Sequence, residues 1–154
     1  MKLYLVQHGE AVPVEADPSR PLTSKGSQDV QEAAAFLKPI LTGPISIFHS
    51  GKLRALQTAG IIAGFLGPGC QVQQVENLSP GDPVQPWVER IKEETADLMI
   101  VGHLPFLGKL ASSLLTGSES KNPLAFRQGS VVCLQRKEGR TWQVGWMITP
   151  DILR

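Results

Sequence analysis

Leu3-Tyr4-Leu5-Val6-Gln7-His8-Gly9, residues 3–9, passes from a short apolar run straight into an amide, an imidazole and a glycine. A run this short with few polar residues fits a strand covered on both faces, as in a parallel sheet. Two later runs have the same character, Ile45–Phe48 and Leu98–Val101, and they end in His49-Ser50 and Gly102-His103. In an open α/β sheet, ligands sit beyond the carboxyl ends of the strands. The three runs therefore predict a fold and a place for chemistry at once.

Each run is followed by a helical pattern. After the first come a loop and then Val30, Ala33, Ala34 and Leu37 at i, i+3, i+4 and i+7, with Thr23 or Ser24 placed to cap. After the second, Leu56, Ala59, Gly60 and Ala63 predict a small-residue face packed closely on the sheet, and Gly67-Pro68-Gly69 stops the helix. After the third, Leu107, Leu110, Ala111, Leu114 and Leu115 repeat the period, with Pro105 suited to a first helical turn. Residues 71–75, QVQQV, fit a further strand. Val131–Gln135 and Trp142–Ile148 flank residues 137–140, KEGR, as a hairpin, with Trp142, Val144, Trp146 and Ile148 alternating to form one apolar face. The expected architecture is α/β: a three-layer α/β/α sandwich with a mostly parallel central sheet and an antiparallel edge hairpin near the C-terminus. One domain over residues 1–154 is expected, with no repeat or internal linker.

Composition narrows the function classes. An apolar share of 42% suits a soluble globular chain, and 15 basic residues against 14 acidic ones give no global field for nucleic acid or an anionic membrane. An anion site must be local. Cys70 and Cys133 lack metal-type spacing and read as buried free thiols. The apolar run after Lys2 is too short for a signal peptide, and nothing approaches the roughly 20 residues of a membrane span, so a reducing cytoplasm is the expected compartment.

Taken singly, a histidine at a strand end is an ordinary structural residue, and an arginine early in a helix is ordinarily solvated. Their joint arrival at one rim is what points to function. Arg54 offers a planar fork of donors matched to phosphate oxygens, Gly9 lets backbone come close, and the helix after His103 aims a positive dipole end at the same place. A neutral imidazole is a competent nucleophile near pH 7.

The stretches LVQHGEA (5–11), RPLTSKG (20–26), HSGKLRALQTA (49–59) and VGHLPFLG (101–108) together resemble the histidine phosphatase superfamily, and within it the SixA-like phosphohistidine phosphatase branch. The resemblance runs nearly the whole chain, in order. It implies that His8 is the nucleophile that becomes phosphorylated, that Arg54 and His103 bind phosphoryl oxygens, and that Arg20 reaches the same pocket. Gln7, Gly9 and Ser50 would line it, although Ser50 fits a helix-capping hydroxyl equally well. No metal or organic cofactor is implied. The implied partner is a phosphohistidine-bearing protein such as a phosphotransfer or phosphocarrier domain, with inorganic phosphate as product.

Two departures from the family pattern bear on mechanism. Where the pattern is Arg-His-Gly, this chain has Gln7, which keeps an N–H donor and loses the charge. A hydrogen bond to a charged group is worth roughly 1.5–3 kcal/mol against about 0.5–1.5 for a neutral one, so the expected loss is on the order of 1–2 kcal/mol. That softens the clamp without removing turnover. The second departure is a general acid: Glu76 and Asp82 lie in the loop where ester-cleaving relatives place a glutamate, but neither falls clearly in register. An imidazole leaves readily without that proton, since its conjugate acid has a pKa of only ~6.5. The sequence thus favours a phosphohistidine phosphatase. A small-molecule phosphomonoesterase or mutase using Asp82, and a phosphate- or phosphohistidine-binding module weakened by Gln7, are the alternatives.

Overall fold

The computed structural model describes residues 1–138 and 140–154. Strands β1 (Lys2–Gln7), β2 (Ile45–His49), β3 (Cys70–Gln74), β4 (Leu98–Gly102), β5 (Val131–Arg136) and β6 (Trp142–Ile148) form one sheet in the order β3-β2-β4-β1-β5-β6. The first four are mutually parallel; β5 runs antiparallel to β1 and β6 antiparallel to β5. Helices α1 (Ser24–Leu37) and α2 (Leu53–Leu66) cover one face, and α3 (Gln85–Glu93) and α4 (Phe106–Thr116) the other. The α/β sandwich with a C-terminal antiparallel hairpin is as expected.

The alternation along β1 explains its central place. Tyr4 and Val6 face the α1/α2 layer, Leu3 and Leu5 face the α3/α4 layer, and all four are at most 1% exposed. Burying a leucine-sized side chain contributes roughly 1.5–3 kcal/mol, so this strand can only be stable between two helical layers. The edge strand β3 is the opposite case, with Gln71, Val72, Gln73 and Gln74 all exposed. Cys133 is buried, whereas Cys70, at that edge, is only half-buried; both are free thiols.

Thr23 caps α1, its hydroxyl oxygen accepting from the Gly26 amide at 2.9 Å while the hydroxyl donates to Glu10 Oε1 at 2.9 Å. Gly26 is obligatory there: a Cβ would stand 2.1 Å from the Glu10 carbonyl oxygen. Gly67 ends α2 with φ of +98°.

Two expectations need correction, and one helix is absent from them. The buried face of α2 is Ala55, Thr58, Ala59 and Ile62, whereas Leu56 and Gly60 are exposed. The two candidate stripes are one position apart, and the sheet takes the narrower one, led by Ala55 and Thr58. In β6 the single apolar face does not form. A bulge between Cys133 and Leu134 pairs them with Trp146 and Val144, leaving Gly145 unpaired. The extra residue swaps faces: Trp146 and Ile148 pack on the α1/α2 side, while Trp142 packs on the other and Val144 is 43% exposed. Finally, α3 was not foreseen. Its buried residues are Trp87 and Ile91 alone, an i, i+4 pair too brief to stand out as a period.

Among the described residues, no helix is long and apolar enough to cross a membrane.

Candidate active site

β1 and β4 are neighbours with Gln7 opposite Gly102, and the His8 amide donates to the Gly102 carbonyl at 3.0 Å. That register sets His8 beside His103. Beyond these strand ends the chain leaves β1 for the α1/α2 layer and β4 for the α3/α4 layer, opening the crevice where α/β sheets bind ligands. The two ring centroids lie 5.1 Å apart with planes at 51°. The rings share one site, as the sequence requires.

His8 Nδ1 is 2.7 Å from the Gly9 carbonyl oxygen. A carbonyl can only accept, so Nδ1 carries the proton and Nε2 carries the lone pair. Burial holds this imidazole down to about 4; the Gly9 carbonyl opposes that shift, and the Arg54 and Arg20 charges reinforce it. The ring is therefore neutral across the physiological range, with its nucleophilic nitrogen fixed by the backbone. His103 is 1% exposed and held down to about 3, first by burial, then by His8, Arg54, Lys52 and Arg20. Its Nε2 lies 2.6 Å from the Ser50 hydroxyl, and its Nδ1 is buried without a partner.

Arg54 opens α2, with its Nε buried and unpaired. Its pKa is lowered by burial and by Arg20. Arg20 has φ of +48°, and its Nε donates to the Val12 carbonyl at 3.1 Å, which fixes the guanidinium by one edge. Among the described residues, none of Arg20, Lys52 and Arg54 has a carboxylate partner, in contrast to Lys25, Arg90 and Lys92. Unneutralised cations converging on two neutral imidazoles form a site suited to an anion.

The remaining predicted residues sort as follows. Gln7 is 7% exposed, with Oε1 buried and unpartnered at the head of the site. Gly9 makes its close approach to α1: a Cβ would stand 2.8 Å from the Gly26 carbonyl oxygen and from Val30 Cγ2. Ser50 touches His103 and accepts from the Lys52 amide at 3.3 Å, but the N-cap of α2 is Lys52 and no side chain caps that helix, so the expected capping role does not form. His49 belongs to the turn, its Nδ1 accepting from the Gly51 amide at 3.1 Å. Asp82 is half-buried and its Oδ2 accepts from the Ser79 amide at 2.8 Å; Glu76 is exposed.

Several supporting residues escape a reading from sequence. Gln57 Oε1 accepts from the Leu22 amide at 2.7 Å, tying the Arg20 loop to α2. Thr58 accepts from the Gly9 amide at 3.1 Å and donates to the Arg54 carbonyl at 2.7 Å, joining the His8 turn to the same helix. The Gln-Thr pair within LRALQTA was visible as pattern only; its partners are 35 and 49 residues away. Gly129 and Ser130 clasp the strand end from the other side, with the Gly129 amide donating to both the Gln7 and His8 carbonyls and the Ser130 carbonyl accepting from Gln7. Lys52 adds charge near His103.

The depressed histidines predict a pH-dependent stability. Each ring binds its proton more weakly folded than unfolded, so its contribution is complete above the unfolded pKa near 6.5 and is lost as pH falls from there to about 4 for His8. The expected loss from one such ring is on the order of 3 kcal/mol, or roughly 5–12 °C in Tm. Thermal unfolding followed between pH 7.5 and 4 should show it, and His8→Gln should fall less steeply. Parallel curves for the two proteins would contradict the burial of a neutral ring.

Comparison with known proteins agrees with this fold. Residues 3–80 match the model of the histidine phosphatase superfamily, branch 1. An uncharacterised protein of Picosynechococcus sp. is 33% identical over 155 residues, covering 91% of this chain and 88% of that one. The phosphohistidine phosphatase SixA of Escherichia coli is 25% identical over 159 residues, covering 100% and 97%. In structure, the protein histidine phosphatase SixA complexed with tungstate superposes with a TM-score of 0.85 at 24% identity, covering 100% of both chains. A putative alpha-ribazole-5'-P phosphatase of Escherichia coli gives 0.74 at 15% identity, covering 97% of this chain and 98% of that one, so the fold extends to proteins named for small-molecule substrates.

Proposed function

The chain belongs to the histidine phosphatase superfamily and is a phosphatase, and from that premise we propose that it removes the phosphoryl group from phosphohistidine on another protein, with His8 as nucleophile. The His8 Nε2 lone pair attacks phosphorus in line and the substrate P–N bond breaks; its electron pair stays on the substrate nitrogen, which leaves as neutral imidazole because the far nitrogen of that ring carries the proton. Arg54, Arg20, His103 and the Gln7 amide hold the equatorial oxygens, which is the main protein contribution in phosphoryl transfer. Water then attacks the phosphoryl group on His8, the second P–N bond breaks, and inorganic phosphate departs. Nucleophile and leaving group are both imidazoles, so the first transfer is close to balanced and makes little demand on a proton donor.

The observation carrying the choice of substrate is the engagement of the candidate acids. Asp82 spends its carboxylate on the Ser79 amide, and Glu76 is solvent-exposed. Glu10, next to the His8 turn, is taken up by Thr23 and Lys25. An alkoxide leaving from a phosphate ester needs a proton from an acid of the protein; an imidazole leaving from phosphohistidine brings its own on the far ring nitrogen, whose pKa lies near neutrality. The full-length relative named phosphohistidine phosphatase supports the same choice.

The test is a substrate panel. A phosphotransfer domain and a phosphocarrier protein, each labelled on histidine, should lose phosphate, whereas sugar phosphates and nucleotides should give kcat/KM values at least 100-fold lower. Rapid ester hydrolysis that Asp82→Asn suppresses would replace this reading with that of a small-molecule phosphomonoesterase.

A further inference from the structure

Resting on that reading, we propose that Val14, Leu56 and Leu104 form an apolar collar around the phosphoryl site, which receives apolar side chains flanking the phosphohistidine of a protein substrate. Each stands next to a residue of the site. Leu104 directly follows His103, Leu56 lies two residues after Arg54 on the first turn of α2, and Val14 sits in the loop that carries Arg20. Their exposures are 39%, 44% and 52%, and Leu56 and Leu104 are the two exposed leucines of the chain, every other leucine being buried or half-buried. Beside Leu104 a cavity of about 300 Å³ opens between Pro105, Gly108 and Asn122, with Lys109 and Glu119 at its edge. Its wall is mainly apolar, and it can take one aliphatic or aromatic side chain.

Reach decides what covers this collar. His8 and His103 are 6% and 1% exposed, so phosphorus must descend to the strand ends to be attacked. By ordinary bond lengths, a phosphohistidine places its phosphorus only roughly 6 Å from its own backbone. The backbone that bears it must therefore come down onto the rim, and its neighbouring residues must meet whatever the rim presents. A free phosphoramidate or a small phosphate ester has no such neighbours and would leave the three side chains in water. On a helix carrying the phosphohistidine, residues three and four positions away share its face, which suits anchors on either side of the central anion. The cations at the centre with apolar side chains around them thus complement an anionic histidine set in an apolar helix face.

The experiment compares two phosphoramidates. Leu56→Asp and Leu104→Asp are assayed on a histidine-phosphorylated phosphotransfer domain and on free phosphoimidazole, with circular dichroism to verify folding. Each should lower kcat/KM on the domain at least tenfold, through KM, and change phosphoimidazole hydrolysis less than twofold. Ile40→Asp and Val144→Asp, at similarly exposed apolar positions away from the strand ends, should leave both unchanged. Undiminished activity of the collar variants on the domain, or an equal fall on both substrates in a folded protein, would refute the collar while leaving the substrate assignment standing. A wild-type protein that cleaves phosphate esters and neither phosphoramidate would refute the substrate assignment, and the collar with it.

Discussion

Replacing His8 by alanine should lower phosphate release by about 10⁴–10⁶-fold, the scale seen when a nucleophile that acts as part of a unit is removed. The expectation is steep because no neighbour can substitute. Among the described residues, His103 is the other imidazole at the site; to hold a phosphoryl oxygen its Nε2, now 2.6 Å from the Ser50 hydroxyl, must carry the proton, which leaves its lone pair on the buried Nδ1 and out of reach of phosphorus. His8 alone combines a free Nε2, a tautomer fixed by the Gly9 carbonyl and a ring that stays neutral down to about pH 4. The wild-type protein, quenched during turnover, should carry an acid-labile, base-stable phosphoryl group that His8→Ala lacks. Binding separates loss of chemistry from loss of the site: the variant keeps Arg54, Arg20 and His103, so inorganic phosphate should still bind within a few-fold of wild type. A variant that turned over normally, or one that neither reacted nor bound, would remove His8 from the role of nucleophile.

How much of this was legible beforehand depends on the distance over which each feature is written. The buried parallel strands announce themselves within a few residues, because Leu3–Val6 and Leu98–Val101 are covered on both faces and have no polar alternation to blur them. The histidines at their ends follow directly, and so does the pairing of His8 with His103 once the strands are adjacent. Features set by one residue more or less were not legible. The Gly145 bulge reverses which face of β6 each tryptophan takes, yet the alternation of Trp142, Val144, Trp146 and Ile148 is the same with or without it. The stripes led by Leu56 and by Ala55 are equally periodic, and only packing against the sheet selects between them. Long-range hydrogen bonds leave least trace of all. Gln57 and Thr58 earn their place through Leu22 and Gly9, partners no local window contains.

Arg54→Ala should cost about 10²–10³ in kcat/KM, comparable with deleting a donor from a preorganised oxyanion site, whereas Gln7→Ala should cost only about fivefold, since a neutral donor contributes roughly 0.5–1.5 kcal/mol. The asymmetry follows from charge and geometry. Arg54 offers a fork of donors and a full positive charge at the start of a helix; Gln7 offers one amide at the end of a strand. Arg54→Lys should recover part of the loss and not all of it, because an ammonium supplies the charge without the fork. Gln7→Arg, which adds a charge to the clamp, should raise turnover by no more than about 5–30-fold, the equivalent of 1–2 kcal/mol. A rise from undetectable turnover to rapid turnover would instead make the natural protein a binding module. Stability should move the other way from activity. Arg54 is held partly buried and close to Arg20, and burial together with that repulsion lowers its pKa. Removing it relieves the repulsion, so Arg54→Ala should melt no lower than wild type while saturating phosphate stabilises the variant far less. An Arg54→Ala protein that unfolded several degrees earlier, yet kept its response to phosphate, would place this arginine in the scaffold and outside the anion clamp.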